Sequence, residues 1–217
     1  MRFKAVLFDL DGTLLDTLDD LGDSMNAVLS SRSLATHDRE KYKYFVGDGV
    51  HNLVLRALPE LLRGDDEMVR SCIADMRAEY SRRWKDKTRP YDGITELLDE
   101  LTRRRVKMAI LSNKPHPALT DVVRHYFGGW TFDAAIGARP SVPQKPDPAI
   151  ALEVGRIAGI APEDFLYLGD TNTDMQTAVA AGMFPVGALW GFRTAEELRE
   201  SGARALVAHP RDVLGLL

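Results

Sequence analysis

The stretch "KAVLFDLDGTLLDT" (residues 4–17) decides the fold. Its apolar run suits a strand buried on both faces. The run ends in two aspartates two residues apart, Asp9 and Asp11, with Gly12 directly behind them. Carboxylates seldom go inside a protein unless they are paired or coordinate a metal. Side chains at i and i+2 of a strand share a face, and Gly12 lets the chain turn immediately after Asp11. A buried strand that delivers two acids to one end asks what else gathers there.

The chain has 217 residues, 45% hydrophobic and 28% charged, with a formal net charge of -4. These are the values of a globular protein able to bury a sizeable core. With no basic block, nucleic acid is not the expected partner. The single cysteine, Cys72 in "MVRSCIADM", excludes an internal disulfide and a multi-cysteine metal site. It reads as a small helix residue. The N-terminal apolar stretch is too short for a signal peptide and no segment reaches membrane-spanning length, so a cytoplasmic protein without a membrane partner is expected.

Residues 16–88 lack strand character and show apolar residues at helical spacing, as in "LGDSMNAVLSSR" and "DDEMVRSCIADMRAEYSRRWKDK". From residue 89 onward short apolar runs alternate with helices. The runs are "VKMAILS" (106–112), "FDAAIGA" (132–138), "DFLYLGD" (164–170), "FPVGALW" (184–190) and "ALVAH" (205–209). This alternation predicts an α/β core, a Rossmann-like parallel sheet with helices on both faces, formed by residues 1–15 and 89–217. Residues 16–88 are then an inserted all-helical domain.

Open parallel sheets bind ligands beyond the carboxyl ends of their strands. The exits carry Asp9 and Asp11, then Ser112, Asn113 and Lys114, then the loop "ARPSVPQKPDP" with Lys145, then Gly169, Asp170, Thr171 and Asp174. Converging carboxylates Asp9, Asp11 and Asp170 would repel one another, and a divalent cation relieves the repulsion. Hard oxygen ligands suit magnesium. Lys145 adds a positive charge, and the Ser112 hydroxyl can donate to an anion. Such a set suits phosphoryl transfer, with Asp9 as nucleophile through an aspartyl-phosphate and Asp11 as acid and base at the leaving group.

Four motifs in order, "DLDGT" (9–13), "LSNK" (111–114), Lys145 in "QKPDP" and "GDTNTD" (169–174), resemble the haloacid dehalogenase superfamily in its phosphatase branch. The resemblance implies that Asp9 and Asp170 ligate magnesium, with Asp11 adding its backbone carbonyl. Asp174 either ligates directly or orients Lys145 and the metal waters. It further implies that Ser112 and Asn113 hold the phosphate, that Thr13 supports the loop, and that residues 16–88 form a cap that closes over the site. "DLDGTLLDTLDDL", "FVGDGVHNLVLRAL", "RPYDGITELLDEL" and "LWGFRTAEELRESGA" are similar to the phosphoglycolate phosphatase group, with Thr171 where serine is common.

The resulting expectation is a magnesium-dependent phosphatase of a small-molecule phosphate ester, favouring 2-phosphoglycolate, working as a monomer or homodimer. The alternatives are a β-phosphoglucomutase-like phosphomutase and a nucleotidase or pyrophosphatase of the same superfamily. In "VGDGVHNL" (46–53), Gly47 permits close backbone approach and Arg56 can meet a substrate carboxylate. That segment lacks the third glycine and the preceding strand of a dinucleotide loop. His116 and His125 read as surface residues, and Trp190 and Phe192 as core.

Overall fold

The computed structural model describes residues 2–217. Strand β1 (Ala5–Phe8) opens the chain and has no exposed residue. After the two-residue strand β2 (Leu15–Asp16) come helices α1 (Leu18–Ser31), α2 (Arg39–Phe45), α3 (Gly49–Ala57) and α4 (Asp66–Arg83). The two-residue strand β3 (Arg89–Pro90) pairs with β2. The rest alternates: α5 (Ile94–Arg103), β4 (Lys107–Pro115), α6 (His116–Phe127), β5 (Ala134–Ala138), α7 (Ala149–Ala158), β6 (Phe165–Gly169), α8 (Asn172–Ala180), β7 (Phe184–Ala188), α9 (Ala195–Glu200) and β8 (Ala205–Val207).

The six longer strands form one sheet in the order β5-β4-β1-β6-β7-β8, and every pairing is parallel. The strand order reverses at β1, with β4 and β5 on one side and β6 to β8 on the other. Crevices at such a reversal are where open sheets bind ligands. Ala5–Phe8 lies in register with Lys107–Ile110 of β4 and Phe165–Leu168 of β6, so β1 and β6 end side by side while β4 runs on past them. Ala5 and Leu7 join Ala109, Leu111, Ile150 and Val154 in one core cluster. Val6 and Phe8 are equally buried on the alternate positions. Burial of both faces explains why the strands read as continuous apolar runs rather than alternating ones.

By compactness the chain divides into Met1–Leu15 with Pro90–Leu217, and Asp16–Arg89. Within the second unit α1 packs on α4. Tyr42 donates its hydroxyl to Asn26 (2.7 Å) while its ring lies against Gly22. Asp20, 1% exposed, accepts from both backbone N–H groups of Lys87 and Thr88 and from the Thr88 hydroxyl, the last at 2.7 Å. A buried carboxylate with several donors is satisfied without a counter-ion.

The structure departs from the sequence reading in three places. β4 continues to Pro115, with a register shift after Leu111. Asn113 and Lys114, read as lying just past the run 106–112, therefore sit on the strand's own irregular end. The segment 46–53 is a loop only to Asp48, because α3 begins at Gly49. The β2–β3 ribbon was not foreseen, since two residues carry no periodicity. No helix among the described residues is long and apolar enough to cross a membrane.

Candidate active site

Asp9 is the first residue past β1. Its N–H continues the ladder to the Leu168 carbonyl (2.9 Å), which fixes the backbone before the chain turns at Gly12. Asp9 is 5% exposed, and its Oδ1 accepts from Lys145 Nζ at 2.8 Å. The same ammonium donates to Asp174 Oδ1 at 2.6 Å. Lys145 reaches this position because its backbone is clamped to β4. The Asn113 side-chain amide donates to the Lys145 carbonyl (3.2 Å) and accepts from the Lys145 N–H (3.0 Å). Asn113 thus pairs with a chain segment as another strand would, and its side chain serves Lys145 directly.

Asp170 follows β6 and is fully buried. It accepts from the Thr13 hydroxyl and from the Phe192 N–H, each at 2.8 Å. Gly12 and Gly191 press against this carboxylate, and a Cβ on either would lie 2.3 or 2.2 Å from its atoms. Gly12 also has φ +90°, so a side chain there is disfavoured twice. Asp174 caps α8 reciprocally with Thr171, accepting from its N–H (3.0 Å) and hydroxyl (2.6 Å). Tyr167 on β6 donates its hydroxyl to Asp174 Oδ1 at 3.3 Å. Both oxygens of Asp174 are therefore engaged by the chain itself.

Asp9, Asp170 and Asp174 each offer an oxygen, all within 4.8 Å of one another. Burial, then Asp174, then Asp170 push the Asp9 pKa well above the usual carboxylate value, and Lys145 only partly opposes them. Burial and Asp174 bring Asp170 up to about 7 against the pull of the Phe192 N–H and the Thr13 hydroxyl. Burial works against the Lys145 ammonium, but Asp174 and Asp9 outweigh it and raise its pKa. The Tyr167 hydroxyl is held protonated by burial. Buried oxygens short of positive charge, on rigid supports, fit a hard divalent cation.

Asp11 leaves the strand direction at the turn. Its Oδ2 pairs with Lys114 Nζ at 3.1 Å, while its buried Oδ1 has no hydrogen-bond partner. The Ser112 hydroxyl is buried and accepts from the Lys114 N–H (3.1 Å), which leaves its proton to donate. The structure thus brings Asp9, Asp11, Thr13, Ser112, Asn113, Lys145, Asp170 and Asp174 to one end of one sheet. Gly47 and Arg56 belong to the unit Asp16–Arg89. There Gly47 takes φ +117°. Arg56 pairs with Asp48 and donates to the Tyr44 and Phe45 carbonyls, each at 3.2 Å, so it braces this loop.

Sequence reasoning missed Tyr167, the Lys114–Asp11 pair and the loop after β7. Trp190 is half-buried rather than core, and its indole N–H donates to the Thr13 carbonyl at 2.9 Å. Phe192 is buried as expected, yet its backbone N–H serves Asp170. His116 is not a bare surface residue, because its Nδ1 accepts from the Gly137 N–H at 3.2 Å. His125 is exposed.

A family model described as haloacid dehalogenase-like hydrolase matches residues 6–188. Phosphoglycolate phosphatase 1 of Pseudomonas aeruginosa is 32% identical over 214 residues, covering 97% of this chain and 78% of that protein. The phosphoglycolate phosphatase of Xylella fastidiosa is 33% identical over 196 residues, covering 89% of this chain and 83% of that protein. Among solved structures, a protein of Lactobacillus delbrueckii subsp. bulgaricus provisionally named phosphoglycolate phosphatase superposes with a TM-score of 0.91 at 29% identity, covering 98% of this chain and 97% of that one.

Proposed function

The chain belongs to the haloacid dehalogenase-like hydrolase family, and from that premise we propose that it hydrolyses 2-phosphoglycolate with magnesium as its metal, through a phosphoryl group carried on Asp9. It is a phosphoric monoester hydrolase, as its curated relatives are phosphoglycolate phosphatases. The observation that carries the mechanism is the shared ammonium of Lys145, held between Asp9 and Asp174. One oxygen of Asp9 is fixed by that contact, and the other is left to attack phosphorus in line.

Asp9 and Asp170 would hold the metal with the Asp11 main-chain carbonyl, while Asp174, whose oxygens already accept from Thr171, Tyr167 and Lys145, would orient Lys145. Bound there, magnesium would offset the carboxylate charge and draw electron density from the phosphoryl oxygens. Asp9 attacks as the ester P–O bond breaks, and Asp11 gives its proton to the departing alkoxide. Ser112 donates its hydroxyl proton to a phosphoryl oxygen. A water molecule then attacks the acyl phosphate, Asp11 takes its proton, and phosphate leaves with Asp9 restored.

Phosphate release from 2-phosphoglycolate, glucose 1-phosphate, nucleoside monophosphates and pyrophosphate tests this reading. The expected result is at least tenfold higher kcat/KM for 2-phosphoglycolate. Equal rates across the panel would remove the substrate assignment, and an isomerised sugar phosphate without free phosphate would remove the hydrolase reading.

Metal binding has its own readout in stability. A ligand at about a hundred times its Kd stabilises a fold by about 2.7 kcal/mol. For a chain of this size that is a rise in Tm of roughly 5–10 °C. Calorimetry of chelator-treated protein before and after adding magnesium is expected to show that rise, with Asp170→Asn showing little of it. An unchanged Tm in the wild type would argue against a resident metal at these carboxylates.

A further inference from the structure

Lys114 is a second cation at the same strand ends, separate from the one that serves Asp9. Its side chain is 5% exposed, a costly place for an ammonium unless it has an anion to meet. Its nearest anion is Asp11 Oδ2 at 3.1 Å. Lys145, by contrast, faces Asp9 and Asp174 on the nucleophile's side. The two lysines therefore divide between the attacking end of the reaction and the departing end.

Asp11 itself shows where the departing group lies. Its Oδ2 is turned to Lys114, and its Oδ1 is buried with no hydrogen-bond partner. A buried acceptor left bare is expensive, and a ligand donor or a shared proton would relieve it. If Oδ1 meets the ester oxygen, Lys114 stands on the far flank of the same carboxyl group, within reach of whatever the alcohol carries on its adjacent carbon. The lysine position is set by backbone: β4 shifts register after Leu111, and the Lys114 N–H is held by the Ser112 hydroxyl at 3.1 Å.

We propose that Lys114 is a specificity-determining residue that selects phosphomonoesters whose alcohol bears an anionic group next to the ester carbon. This rests on the phosphatase reading above and adds to it the residue that reads the leaving group. A substrate carboxylate bound to Lys114 shares the ammonium with Asp11, orients the ester oxygen toward Asp11 Oδ1, and leaves the site with the alcohol. A neutral group at that place offers the ammonium no charge to meet and gains little from it. Charge-assisted hydrogen bonds of this kind are the strong ones, and a site built to bond a polar group discriminates sharply against analogues lacking it.

The test compares 2-phosphoglycolate with its carboxamide, which has the same shape and no charge, as a ratio of kcat/KM on one preparation. A ratio is unaffected by the folded fraction. The wild-type ratio is expected to be at least thirtyfold in favour of the carboxylate, to fall within threefold in Lys114→Gln, and to be partly restored in Lys114→Arg. A ratio that survives in Lys114→Gln, with both substrates slowed alike, would overturn the proposal and leave Lys114 as a support of Asp11 that does not read the leaving group. A wild type that hydrolyses both esters equally would also overturn it while leaving the phosphatase reading intact. A wild type that releases phosphate from neither ester nor from any of the other panel substrates would instead remove the phosphatase reading, and this proposal with it.

Discussion

Asp9→Asn is expected to lower turnover by about 10⁴-fold or more, because it removes the proposed nucleophile rather than a supporting contact. The variant should nonetheless fold, with a Tm at least as high as the metal-free wild type. Burial and the neighbouring Asp174 and Asp170 push the Asp9 pKa well up, so its ionised form is a net burden on the folded chain. An asparagine of the same shape removes that burden and keeps an acceptor for Lys145. Single-turnover assays with calorimetry on the same sample check both halves. Residual activity within tenfold of wild type would assign the attack to another group.

Lys145→Met should behave in the opposite way. The methionine fills the space but leaves Asp9 and Asp174 buried without the ammonium they share at 2.8 and 2.6 Å. Removing one partner of a buried pair typically costs about 3–5 kcal/mol, a fall in Tm of roughly 10 °C for a chain of this size. Turnover should drop by about 10³-fold as well, since the carboxylate that attacks is no longer held. Denaturation midpoints of Lys145→Met and of the double variant Asp9→Asn/Lys145→Met separate the contributions. The double variant is expected to recover part of the lost stability and none of the activity. If Lys145→Met melts with the wild type, the lysine is not the charge that holds the site together.

The opposite signs of these two substitutions show what was legible in the sequence. Asp9, Asp11, Lys145 and Asp170 each follow an apolar run or lie in a loop between runs, so their approach to one strand end could be argued from alternation alone. The parallel sheet was readable for the same reason. The supports were not readable. The donor to Asp170 is the backbone N–H of Phe192, and a backbone group has no letter in the sequence. Tyr167 lies in a strand of otherwise apolar residues, where an aromatic reads as core until its hydroxyl is seen to reach Asp174. Asn113 sits where a phosphate ligand is expected, and only the path of the chain shows its amide clamped on Lys145. Trp190 hid in an apolar run for a similar reason, since its ring is half-buried and its polar edge decides the contact.

The paired strands β2 and β3 bear on how such a chain can change over generations. They bring the two ends of the segment 16–89 together, and the Tyr91 N–H donates to the Leu14 carbonyl at 3.2 Å just outside it. The entropy of closing a loop grows only with the logarithm of its length. Once the closure is made by this ribbon, lengthening or exchanging what lies between costs the catalytic sheet little. The strand that carries Asp9 can thus keep its register while the inserted segment is free to diverge, so the two parts of one chain can change at different rates.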